Sequence, residues 1–125
     1  MILVVDDHAD TRYVVTRLLK NLGYDAVAVE GGDEAIAYLR DAMPRMVILD
    51  CNMPCTDGLA VLTAIRSDAR LAALPVVMFS GDTDGEQRRA IEAVGIQGWI
   101  VKASMDWDEI SRFAKLYAGP GTPRE

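Results

Sequence analysis

The chain is poor in the residues from which compact metal and redox sites are usually built: 125 residues hold 2 cysteines and 1 histidine. Cys51 and Cys55 cannot by themselves complete a tetrahedral zinc site, and His8 adds only one more donor. A disulfide is not expected in a chain read as cytosolic, so the two thiols read as small apolar side chains in or near a loop. Long hydrophobic runs are missing as well. None approaches the ~20 residues that a bilayer span needs, and no membrane association is expected. An excess of positive charge is also missing: 13 basic residues face 19 acidic ones, for a net charge of −6. That balance argues against direct binding to nucleic acid or to an anionic membrane, both of which call for a basic face. The opening Met1-Ile2-Leu3-Val4-Val5-Asp6-Asp7 has no basic n-region and meets carboxylates too early for a secretory signal, so a cytoplasmic location is expected.

What is present is an alternation of short apolar runs and longer helical periods. Ile2–Val5, Ala26–Val29, Met46–Leu49, Pro75–Phe79 and Trp99–Val101 read as strands. Between them, Val14, Val15, Leu18, Leu19 and Leu22 recur at helical spacing, with Asp10 as the expected N-cap and Gly23 as the stop. The Gly31-Gly32-Asp33 turn opens a second helix that stops before Pro44. A third helix is expected over about residues 58–69, a fourth over about 84–94 and a fifth behind a cap at Asp106. Strands joined by helical crossovers should be parallel, with right-handed connections and helices on both faces. Runs apolar at nearly every position suit a sheet covered on both sides. The expectation is one α/β domain over residues 1–118, with 119–125 as a flexible Pro/Gly tail or linker stub.

In such a sheet, ligands bind beyond the carboxyl ends of the strands. Those ends are where the polar residues fall: Asp6 and Asp7 after the first strand, Asp50 after the third, Ser80 after the fourth and Lys102 after the fifth. Three converging carboxylates repel one another unless a cation compensates. Oxygen donors with open positions for water suit a hard octahedral ion, for which Mg²⁺ is the usual occupant. A lysine and a hydroxyl opposite them suit an incoming phosphate. A metal, a nucleophilic carboxylate and a lysine together describe phosphoryl transfer through an aspartyl phosphate.

The residues that carry this chemistry also carry a resemblance. Val4-Val5-Asp6-Asp7, then Asp50-x-Asn52-Met53-Pro54-x-x-Asp57-Gly58, then Phe79-Ser80-Gly81, then Trp99-Ile100-Val101-Lys102 resemble the receiver domain of two-component response regulators, of the chemotaxis-regulator kind, over about residues 2–118. The resemblance implies a flavodoxin-like doubly wound (βα)5 fold with a five-stranded parallel sheet in the order 2-1-3-4-5. It implies Asp50 as phosphoacceptor, taking the phosphoryl group from a histidine kinase or histidine phosphotransfer protein. Asp7 would ligate Mg²⁺ directly and Asp6 through water, with Asp50 and the Asn52 backbone carbonyl completing the protein ligands. Ser80 and Lys102 would bind phosphoryl oxygens, while the side chains of Asn52 and Asp82 would set the lifetime of the acyl phosphate. Ser80 and Trp99 would act as the switch. A downstream protein target would then bind the face formed by the fourth helix, fifth strand and fifth helix. Such a domain catalyses its own phosphorylation and dephosphorylation without being a turnover enzyme on other substrates.

Two positions depart from the pattern. Trp99 stands where the family usually has Tyr or Phe, and its bulk makes an inward swing hard to fit. It either damps the switch or stays outward as an anchor for a partner. Ala103 replaces the proline that usually follows the lysine, so a trans Lys102–Ala103 bond is expected, because a cis bond before Ala costs about 3–4 kcal/mol. These departures keep open a degenerate receiver that serves as a phosphorylation-independent interaction module. A Mg-dependent phosphohydrolase is disfavoured by Asn52, which stands where such enzymes usually place a second acid, and by the lack of a cap insertion. A flavin-binding reading is disfavoured by the acidic, Gly-free loop Asp6-Asp7-His8-Ala9-Asp10.

Overall fold

In the computed structural model, residues 1–81, 85–102 and 107–119 are described. Asp82, Asp84, Ala103, Asp106 and residues 120–125 lie outside them, and so do the expectations for a modulating Asp82, a trans Lys102–Ala103 bond, an Asp106 cap and most of the tail. The elements run β1 (Ile2–Val5), α1 (Ala9–Asn21), β2 (Ala26–Val29), α2 (Gly32–Leu39), β3 (Met46–Asp50), α3 (Gly58–Ser67), β4 (Val76–Ser80), α4 (Gly85–Val94), β5 (Gly98–Val101) and α5 (Trp107–Tyr117). All strand pairs are parallel, in the order β2-β1-β3-β4-β5, as the resemblance implied.

Because side chains alternate across a sheet, each strand feeds both faces. Leu3, Val5, Val47, Leu49, Val76 and Met78 point to one side and pack under α2, α3 and α4 through Ala35, Leu39, Val61, Leu62, Ile65 and Ile91. Ile2, Val4, Met46, Ile48, Val77, Phe79 and Ile100 point to the other, where α1 and α5 supply Val15, Leu19, Ile110, Phe113 and Ala114. β1, β3 and β4 are buried along their whole length, whereas the edge strands β2 and β5 are partly exposed. This explains the weaker hydrophobic signal at Ala26–Val29. Gly98 on β5 is required by packing: a Cβ there would stand 2.4 Å from the Phe113 ring.

Several boundaries differ from the sequence expectation. The N-cap of α1 is His8 instead of Asp10, which falls in the first helical turn where its charge meets the helix dipole. α3 ends at Ser67, because Asp68 turns to extended backbone and its carboxylate accepts the Arg70 N–H at 2.9 Å, an alternative to another helical turn. The third and fifth strands each gain one residue, Asp50 and Gly98, and the fourth runs Val76–Ser80, one residue later than expected, because Pro75 has no N–H to give the ladder.

Strand register places the polar strand ends. Val5 pairs with Leu49, Asp50 with Phe79 and Ser80 with Val101, so Asp6 and Asp50 are level at the carboxyl edge, with Ser80 one residue and Lys102 two residues beyond them.

Candidate functional site

Asp6 and Asp50 are almost wholly buried at this edge, and Ser80 is fully buried beside them at the end of β4. Lys102 reaches over from the end of β5 and lies between the two acids, with Nζ 2.6 Å from Asp6 Oδ2 and 3.3 Å from Asp50 Oδ2. Its ammonium lies over the Phe79 ring, 5.5 Å from the centroid. The donor atoms of Asp6, Asp7, His8 and Asp50 lie within 4.8 Å of one another. Three carboxylates therefore face a single ammonium. Asp6 Oδ2, Asp7 Oδ1 and Asp50 Oδ2 are buried yet accept no well-oriented hydrogen bond, although the first and last touch Lys102 as ion pairs. Buried carboxylate oxygens left in that condition are costly, and a hard cation satisfies them. The oxygen-rich donor set fits such an ion.

The electrostatics agree. Burial, then the charge of Asp6, pushes the Asp50 carboxyl from an ordinary 3.8 up to about 6, against the opposing pull of Lys102 and the Asn52 N–H. That N–H donates to Asp50 Oδ1 at 3.3 Å. For Lys102, burial pushes the pKa down, but the hydrogen bond to Asp6 and the charges of Asp50 and Asp6 outweigh it and leave the group raised. Lys102 is thus held as a cation.

The loop after Asp50 is fixed from both ends. Asp57 caps α3, its Oδ1 accepting the Ala60 N–H at 2.9 Å. Gly58 presses on the acceptor strand so closely that a Cβ would lie 2.4 Å from the Asp50 carbonyl oxygen and 2.9 Å from Cys51 Cα. The Asp-Gly pair of the motif therefore sets where the Asp50 backbone sits. Between Asp50 and Asp57, Cys55 adopts φ +68, a left-handed turn residue with an exposed thiol, while Cys51 is buried, and neither is in a disulfide.

The structure brings together Asp6, Asp7, Asp50 and Lys102, with Ser80 at the same edge. Asn52 is exposed and linked to α4, its Oδ1 accepting from Gln87 Nε2 at 3.2 Å. Trp99 stands apart from the acids: half-buried on β5, it lies under the Arg88 guanidinium, 4.6 Å from carbon to ring centroid. Arg88 is held in turn by Glu92 at 2.9 Å. Sequence reading missed three contributors. Arg12 donates to the Asp6 carbonyl at 2.8 Å and steadies the end of β1; its place one turn after His8 on an acidic loop was a usable signal. The Gln87 contact and the Arg88 clamp depend on where α4 docks, and no spacing in the sequence reports that.

Taken together, fold and site define a doubly wound α/β domain with an acidic, lysine-bridged centre at the carboxyl edge of its sheet. Comparison with known proteins narrows the class. The response regulator receiver domain model matches residues 2–113. The chain is 33% identical over 102 residues to the chemotaxis protein CheY of Pseudomonas aeruginosa, covering 81% of this chain and 82% of that protein. The structure of Vibrio cholerae chemotaxis protein CheY4 superposes with a TM-score of 0.84 at 28% identity, covering 93% of this chain and 96% of the other. That of the phosphorylated cyanobacterial phytochrome response regulator RcpA gives 0.85 at 26% identity, covering 99% and 97%. The chain belongs to the response regulator receiver domain family of two-component systems.

Proposed function

We propose that this domain, over residues 1–118, is a phosphoacceptor that takes a phosphoryl group onto Asp50 and thereby changes its affinity for a protein partner. The observation that supports the proposal is the Asp6–Lys102–Asp50 bridge, in which a buried carboxylate, a fixed cation and unsatisfied carboxylate oxygens meet at one edge of the sheet. A relative whose structure is that of a phosphorylated response regulator supports it. The donor would be a phosphohistidine on a kinase or histidine phosphotransfer protein, since a carboxylate can attack a phosphoramidate without an activating base.

Asp7, Asp6, Asp50 and the Asn52 carbonyl would hold Mg²⁺, which when bound supplies positive charge to the carboxylates and to the phosphoryl oxygens. The chain's own residues do the rest. Asp50 Oδ2 is the attacking atom. Lys102 leaves its tight pairing with Asp6 to meet a phosphoryl oxygen, and the Ser80 hydroxyl donates to another. Asn52, tethered to Gln87, would set the lifetime of the acyl phosphate together with Asp82, which lies outside the described residues. Output would pass through α4, β5 and α5, where a population shift alters the surface around Trp99.

A second reading, a receiver that binds its partner whether phosphorylated or not, is favoured by the half-buried Trp99 being already held beneath Arg88. Incubation with a small acyl-phosphate donor and Mg²⁺, followed by intact mass measurement, tests the first. One phosphoryl group should add to the wild type and none to Asp50→Asn; an unmodified wild type overturns the proposal. Partner affinity equal in both phosphorylation states would establish the second reading.

A further inference from the structure

His8 is the N-cap of α1, yet its side chain makes no capping hydrogen bond. The ring instead turns back to the acid pair, with Nδ1 3.1 Å from Asp7 Oδ1 and 3.3 Å from Asp6 Oδ1. Its own backbone N–H donates to Asp6 Oδ1 at 2.9 Å, so the residue is pinned over the site from two directions. Adjacent ligands of an octahedral ion with bonds of roughly 2.2 Å lie roughly 3.1 Å apart, and opposite ones roughly 4.4 Å. The His8–Asp7 and His8–Asp6 separations match the first value, and the 4.8 Å spread of all four donors is little more than the second. Asp7 Oδ1, the carboxylate oxygen nearest the ring, is one of the buried oxygens without a well-oriented hydrogen bond.

We infer that His8 is a direct nitrogen ligand of the divalent cation held by Asp6, Asp7 and Asp50, so that the centre is a mixed nitrogen–oxygen site selective for a first-row transition ion such as Mn²⁺ over Mg²⁺. This rests on the reading of the acid cluster as a cation site. An imidazole is a borderline donor that adds little for Mg²⁺ and more for Mn²⁺ and the later ions of the series. Among the described residues His8 is the one member of the four-residue donor cluster that is not a carboxylate. Its side chain is 67% exposed, so it can move onto or off the ion without disturbing the core.

Electron spin-echo spectroscopy of the Mn²⁺ complex at pH 8 tests the inference in the wild-type protein. Modulation from a directly bound ¹⁴N is expected, and it should vanish in His8→Ala and in His8→Gln, which retains a polar side chain at the helix cap. Mn²⁺ affinity should fall ~10-fold or more in both variants, at least the loss usual for removing a supporting partner, while Mg²⁺ affinity changes far less. A Mn²⁺ complex without ¹⁴N modulation, or equal losses for Mn²⁺ and Mg²⁺, would overturn the nitrogen ligand and leave the phosphoacceptor reading standing. Failure of both ions to bind the wild type would overturn both.

Discussion

Replacing Asp50 by Asn should make the cation-free protein more stable at neutral pH, even though it destroys the proposed acceptor. The Asp50 carboxyl is 3% exposed in side-chain terms and titrates near 6 instead of 3.8. A rise of about 2 pH units corresponds to about 3 kcal/mol between the two protonation states. Between those pH values the folded protein still holds a proton that the unfolded chain has released. Stability therefore falls as pH rises through the window from 3.8 to about 6, and the loss is complete above it. Asn carries no such charge and can still accept the Asn52 N–H. In EDTA at pH 7.5, Asp50→Asn should exceed wild type by up to ~3 kcal/mol, or roughly 10 °C in melting temperature for a domain of this size. Near pH 4 the two should converge. Urea titrations monitored by circular dichroism at several pH values read this directly, and saturating Mg²⁺ should narrow the gap at pH 7.5 by stabilising the wild type more. Parallel pH profiles for the two proteins, or a less stable variant at pH 7.5, would refute the electrostatic account of the site.

Three other perturbations have definite outcomes. Gly58→Ala would put a methyl group against the Asp50 carbonyl, 2.4 Å away before relaxation; a loss of ~1–3 kcal/mol in urea and slower adduct formation on Asp50 are expected. Arg66, whose guanidinium donates to the carbonyls of Gly95, Ala72 and Leu74 and to Gln97 Oε1, ties the end of α3 to both neighbouring loops. Arg66→Ala should cost ~2 kcal/mol in urea, and Arg66→Lys should recover little of it, because an ammonium cannot span that fork of acceptors. Arg88→Ala should cost only ~0.5 kcal/mol but should raise the mobility of the Trp99 indole in ¹⁵N relaxation, with the Trp107 signal unchanged.

The parallel α/β architecture was legible because buried strands announce themselves as unbroken apolar runs, and because polar residues fell at every strand end that lines the site. Register then did what pattern reading assumed, carrying Asp6, Asp50 and Lys102 to one edge. Helix ends were less legible. Asp10 was the expected cap of α1, but the helix starts one residue before it behind His8, whose backbone N–H and ring meet the acid pair, a local contact that capping preference does not weigh. Asp68 ended α3 through a local side-chain bond that propensity alone does not weigh. The Arg88 contact of Trp99 was not legible, since Arg88 comes from a helix whose docking is not written in any spacing.

The central claim is that Asp50 alone receives the phosphoryl group. Tandem mass spectrometry of the protein after reaction with an acyl-phosphate donor and Mg²⁺ tests it most directly. The account predicts a single adduct, confined to the peptide that carries Asp50 and absent from Asp50→Asn. An adduct on His8, Ser80, Asp6 or Asp7 in the wild type, or one that persists in Asp50→Asn, would contradict it.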